Sequence, residues 1–230
     1  MSKHRRYTKK TDQAKAWNLR PKQSTAYAVE SRLANYKRFV IYCEGENTEP
    51  NYFKSFPVTT AEIHVYGLSR SKTSLVNFVI ERDFEIDPDP EREVWIVFDM
   101  DFDLSIDKSL QQNDFNRSIT LAQEKGFKVA YSNDAFELWF VLHHQLIEAQ
   151  LTRNEFYQKL SEHWQLSYER YGKSRDFCRG IYDRLISLQT SAIRNAERLH
   201  RQTKHLLPAE QNPCTTVYEL VVELNKYLKK

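Results

Sequence analysis

Val94-Trp95-Ile96-Val97-Phe98 is an unbroken apolar run, and it ends at once in Asp99-Met100-Asp101-Phe102-Asp103. Earlier in the chain Phe39-Val40-Ile41-Tyr42-Cys43 stops in the same way, at Glu44-Gly45-Glu46. Short runs of β-branched and aromatic residues without polar alternation read as strands buried on both faces, the kind that parallel sheets contain. If the two runs are neighbours in one such sheet, their acidic ends meet at a single edge. Carboxylates crowded there repel one another, and a hard divalent cation relieves that repulsion.

Outward from these runs the pattern alternates strand and helix. Thr48 and Pro50 mark the first turn of a helix through Phe53 and Phe56, since proline is tolerated where no NH is needed. Residues 63–66 predict a second strand. Leu75, Val76, Phe78 and Val79, with Arg82 outside, have helical spacing behind a Thr73 or Ser74 cap. Asp87-Pro88-Asp89-Pro90 breaks the chain before the Val94 strand. A helix over about 114–125 is closed by Gly126 at a left-handed end position, and residues 128–131 predict a fourth strand. Four strands joined by helices imply a mainly parallel sheet covered on both faces, with the carboxyl ends, where ligands bind, along one edge.

Beyond Ser132 the chain reads as helix. Asp134-Ala135-Phe136-Glu137 is a capping box for a buried helix over 136–147, and Thr152-Arg153-Asn154-Glu155 repeats the box. One long helix is expected over about 174–200, and Thr216 is expected to cap the last. The organisation that follows is a basic arm over 1–38, an α/β domain over 39–150 and a helical extension over 151–230 packed on it.

The net charge of +3 hides an asymmetry, because residues 1–38 hold eleven Lys or Arg against Asp12 and Glu30, or +9, which leaves −6 for the rest. Such an arm is either a solvated extension or a phosphate-neutralising contact through residues such as Lys9 and Lys10. No uncharged apolar run approaches the roughly 20 residues of a membrane span. The basic start lacks the apolar stretch of a secretory signal, so a cytoplasmic protein is expected. Three widely spaced cysteines, Cys43, Cys178 and Cys214, suit neither a disulfide framework nor a paired zinc site.

Asp99, Asp101 and Asp103 have the spacing that opens a calcium loop, but Leu104 and Leu110 stand where its glycine and glutamate belong. A strand running into VFDMD also opens phosphatases that use an aspartate nucleophile; no downstream acidic pair completes that set. In an extended strand alternate residues share a face, so Asp99 and Asp101 are expected to grip one Mg2+ or Mn2+ ion, with Glu44 across the edge as ligand or proton-handling base. Glu137 and His144, seven apart on one helix face, are auxiliary candidates, with Glu137 as a second-metal ligand or as the end of its capping box. Arg70 and Lys72, before a helix start, are candidate phosphate contacts. Tyr42, Tyr52 and Trp139 either stack bases or fill the core. No nucleotide-binding P-loop is present.

The strings EGENTEPNYF, VWIVFDMDFD, SNDAFELWFVLHH and NPCTTVYELV resemble the RloB family, over most of the body from Val40 to about Leu224. The resemblance implies a TOPRIM-like, Rossmannoid α/β fold with a mainly parallel four-stranded sheet. On it, Glu44 takes the place of the glutamate after the first strand, and Asp99 and Asp101 those of the DxD aspartates. Glu46 and Glu49, in the EGExTE string, would be second-shell or second-metal residues, and Ser132, Asn133 and Glu137 fall in a further signature, SNxxFELW. The implied function is a Mg2+- or Mn2+-dependent nuclease of a prokaryotic anti-phage, abortive-infection system, cutting DNA or RNA under the control of an ABC-type ATPase. A homo-oligomer or larger ATPase complex would be in keeping with it. The rival from another class is a non-catalytic nucleic-acid-binding or adaptor subunit of such a complex.

Overall fold

A computed structural model of the chain describes residues 36–84 and 89–229. Lys9, Lys10 and nearly all of the basic arm lie outside the described residues, as does the Asp87-Pro88 part of the expected break. Lys37–Lys230 form one compact unit. In chain order it holds β1 (Lys37–Cys43), α1 (Thr48–Lys54), β2 (Ala61–Gly67), α2 (Lys72–Phe84), β3 (Arg92–Asp99), α3 (Lys108–Glu124), β4 (Lys128–Asn133) and α4 (Glu137–His144). There follow α5 (Arg153–Trp164), the single turn α6 (Tyr168–Tyr171), α7 (Arg175–Leu185), α8 (Gln189–Thr203), β5 (Cys214–Thr215) and α9 (Val217–Asn225).

The sheet order is β2-β1-β3-β4-β5. The first four strands pair in parallel, as expected, and β5 pairs antiparallel with the end of β4. Five strands therefore replace the expected four. Two residues are too short for any apolar pattern to announce a strand; long-range bonds fix this one. Thr216 N donates to Tyr131 O at 2.8 Å, and the hydroxyls of Ser132 and Thr215 meet at 3.0 Å.

Strand alternation divides the core into two layers. Phe39, Ile41 and Cys43 of β1 and Trp95 and Val97 of β3 face one layer, which α1, α4 and the C-terminal helices cover. Val40, Tyr42, Ile96 and Phe98 face the other, which α2 and α3 cover. Both faces of the central strands are thus dry, which is why their sequence shows no polar alternation. Tyr52 and Trp139 belong to the first layer, bonded to each other through Trp139 Nε1 and the Tyr52 hydroxyl at 3.0 Å. Tyr42 is also buried, stacked under the half-exposed Tyr66.

Several helix ends differ from expectation, each for a local reason. α3 starts at Lys108, because the Asp107 carboxylate caps it by accepting from Ser109 N and Leu110 N. It runs to Glu124, and Gly126 takes the left-handed conformation with φ +80°. α2 starts at Lys72, so Thr73 and Ser74 lie inside it rather than ahead of it, and the Thr73 hydroxyl bonds Asp114 and Ser118 on α3. The long helix expected over 174–200 is two helices, α7 and α8, joined by a tight turn at Ile186–Leu188. The Thr216 hydroxyl accepts from Tyr131 N rather than capping α9. Among the described residues no helix is long and apolar enough to cross a membrane.

Candidate functional site

From β1 the chain passes to β2 on one side of the sheet, then returns over β1 to β3 on the other. The carboxyl ends of β1 and β3 therefore flank the point where the winding reverses, where doubly wound sheets open a crevice. Glu44 and Asp99 stand there. Glu44 N extends the ladder by donating to Val97 O at 2.9 Å, and Asp99 N donates to Glu44 Oε2 at 3.3 Å. The first helix turn after β1 brings Glu49 in, and the start of α4 brings Glu137.

These groups line one cavity of about 220 Å³, with six carboxylates (Glu44, Glu46, Glu49, Asp99, Asp101, Glu137) and two cations, Arg153 and Lys173. Glu49, Asp99 and Glu137 are buried, Glu44 is half-buried and Glu46 is exposed. Burial and mutual repulsion both favour the neutral acid. Desolvation, with Glu137 and Glu44 close by, pushes the Glu49 carboxyl up to about 7. Desolvation raises Asp99 well above the usual carboxylate range, helped by Glu49, Glu137 and Glu44 and opposed by Arg153. Glu44 is raised mainly by burial, against the pull of Lys72, whose ammonium is 3.9 Å from Oε1.

The expected alternation of Asp99 and Asp101 fails. β3 ends at Asp99, and Asp101 turns into the left-handed region at φ +47°, which aspartate tolerates better than most residues. The turn is held by Met100 N to Ser132 O (2.8 Å), Asp101 N to Asp134 O (3.0 Å) and Phe102 N to Asp134 Oδ1 (2.8 Å). That last bond occupies the carboxylate expected to cap α4, so the capping box at Asp134–Glu137 does not form. Glu137 instead accepts from the Tyr168 hydroxyl at 3.3 Å, inside the protein. What reunites the two aspartates is Arg153, with Nη1 2.9 Å from Asp101 Oδ1 and Nη2 3.7 Å from Asp99 Oδ2.

Other candidates stand elsewhere. α4 spans Glu137 to His144, so these two sit at its opposite ends, about 10 Å apart along the axis at 1.5 Å per residue. The His144 ring stacks on His163 at 4.3 Å and accepts from Trp164 Nε1 at 3.2 Å, outside the acid cavity. The Arg70 guanidinium lies 4.5 Å over the Phe78 ring, and Lys72 is turned to Glu44. Asp103 is a loop acid that accepts from Ser105.

Arg153, Lys173 and Tyr168 join the site without any local sequence pattern that marks a ligand or a catalytic group. Arg153 appears in the sequence only as a member of a capping box whose Glu155 does accept from Thr152 N at 2.7 Å. An unpaired helix-start arginine in an acidic body was the one available signal.

All the anionic donors are oxygens, the preference of Mg2+ and Mn2+. Asp99 Oδ1 is buried with no hydrogen-bond partner, so this donor set fits a hard divalent cation. Among the described residues no group of three or more Asp, Glu, His or Cys side chains is arranged to hold a metal ion as it stands.

The family model described as RloB-like protein matches residues 39–224. No curated protein and no solved structure matches.

Proposed function

This chain belongs to the RloB-like family, and on that premise we propose that it is a TOPRIM-like, Mg2+- or Mn2+-dependent nuclease that hydrolyses phosphodiesters of DNA or RNA. The observation that carries this reading is the gathering of six carboxylates around a small cavity at the switch point, with buried Asp99 Oδ1 lacking any partner. A fold spends stability on such crowding where a ligand repays it.

Asp99, Asp101 and Glu44 would hold the cation, with Glu137 and Glu49 beside it. Bound there, Mg2+ or Mn2+ would supply the Lewis-acid charge that attracts a phosphodiester and favours attack by water. Glu44, which accepts from the Asp99 amide, would serve either as a ligand of the cation or as the base that takes the water's proton. Glu49, with its carboxyl near 7 in the protein alone, is the second proton-handling candidate, because a base works best near the ambient pH. A groove of about 750 Å³ shares Asp101 with the site, is lined also by Lys72, which pairs with Glu44, and runs past the half-exposed Phe102 ring. Its position suits a nucleic-acid strand, with Phe102 available for stacking. The wider proposal is a role in anti-phage defence, with an ABC-type ATPase controlling the cut.

The test is incubation of purified protein with labelled DNA and tRNA in Mn2+. Cleavage that disappears in Asp99→Ala and Glu44→Ala supports the nuclease. Binding without cleavage, unchanged by Mn2+, favours the adaptor reading instead.

A further inference from the structure

Arg153 opens α5, and its main chain is anchored by the Thr152–Glu155 turn. Among the described residues its side chain is paired only with acids. Asp101 and Asp99 are the groups it pairs with among the described residues, at 2.9 and 3.7 Å, and its Nε is buried without a partner. The guanidinium serves Asp101 well and Asp99 poorly: Oδ2 lies beyond hydrogen-bond distance and Oδ1 meets nothing.

One delocalised charge thus stands among six carboxylates where a compact divalent ion would stand better. The side chain is 29% exposed, so part of it already meets solvent. Lys173, the other cation of the cavity, lies over the Tyr157 ring at 5.4 Å and is not placed between the aspartates.

We infer that Arg153 is a displaceable counter-ion: it holds Asp99 and Asp101 in the resting protein, yields them to an entering divalent cation, and then clamps a phosphate of the nucleic acid. This rests on the proposal that the cavity takes such a cation. The planar fork that now bridges two aspartates is matched equally well by two phosphate oxygens. Cation and nucleic acid would therefore be coupled, because the first frees the residue that grips the second.

The test uses the full chain and its Arg153→Gln and Arg153→Lys variants. Mn2+ alone is titrated by the paramagnetic resonance of the free ion, and a labelled phosphorothioate oligonucleotide is titrated by anisotropy with Mn2+ present. Arg153→Gln is expected to bind Mn2+ about tenfold more tightly and the oligonucleotide about tenfold more weakly, in the range of ordinary site-to-site coupling. Arg153→Lys should fall between, and it carries the test if the glutamine variant melts early. Opposite signs are the signature. A variant that loses both affinities, or one with Mn2+ affinity unchanged, overturns the inference while leaving the metal site standing. If wild type and variants alike bind no Mn2+, the proposed metal chemistry fails, and the inference fails with it.

Discussion

The carboxylate of Glu49 packs against the bare α-carbon of Gly45: a β-carbon at residue 45 would stand 2.8 Å from Oε1 and closer still to Oε2. The turn after β1 is therefore shaped around the acid that follows it. Gly45→Ala should push the flexible end of Glu49 aside and leave the backbone in place. The expected outcome is a melting temperature within a few degrees of wild type and cleavage reduced at least about tenfold. Gly67→Ala provides the contrast, because its β-carbon would meet backbone, Gly45 O at 2.5 Å and Glu46 Cα at 2.8 Å. That variant should lose about 1–3 kcal/mol of stability as well, as overpacking usually costs. Urea denaturation beside a cleavage assay separates the two effects.

Asp99 is buried among three acids that raise its carboxyl and only one cation that lowers it. Asp99→Asn removes the charge and keeps the shape. At pH about 8 the variant should melt higher than wild type, by about 1 kcal/mol or more of stability. Cleavage should fall about a hundredfold or further, since a cation ligand is lost. A variant that is both less stable and inactive would mean that Arg153 outweighs the repulsion.

Tyr168 donates to Glu137 inside the protein. Tyr168→Phe keeps the ring contacts with Tyr157 and Trp164 and deletes only the hydroxyl. Leaving a buried carboxylate short of a donor should cost about 1–3 kcal/mol, read as a shift of the urea midpoint. Mn2+ should restore part of the loss if Glu137 faces the cation.

The strands were legible because burial on both faces leaves a mark that local sequence carries, as in Val94 to Phe98. The acids at their ends were legible for the same reason: a strand's carboxyl end is a topological position as well as a sequence position. What the sequence hid was made by tertiary contact. β5 has two residues and exists through its pairing with Ser132 and Asn133. Asp134 could cap α4 by its spacing, yet its carboxylate goes to Phe102 N. Asp101 would share a face with Asp99 only if the strand continued, and the bonds to Ser132 and Asp134 end it. Arg153, fifty-two residues beyond Asp101 in the numbering, reaches it from the start of α5, which packs on α4.

The raised carboxyls also fix the sign of the pH dependence. Glu44, Glu49, Asp99 and Asp134 hold their protons more tightly in the folded protein than in the unfolded chain. Their neutral forms therefore contribute stability at low pH that is lost as pH rises, for Glu49 through about 7. His143 works in the other direction: burial lowers it from 6.5 to about 4, so acidification below 6.5 favours unfolding. Above that value only the acids act among these groups. Stability should thus fall by about 1–2 kcal/mol between pH about 6.5 and about 8, followed by urea midpoints across the range. Glu49→Gln should flatten that slope, because the group that titrates near 7 is gone. Millimolar Mn2+ should flatten it too, since a cation that binds the ionised carboxylates stabilises the form that higher pH produces. A slope indifferent to both would mean that the acids of the cavity do not titrate as one charged cluster.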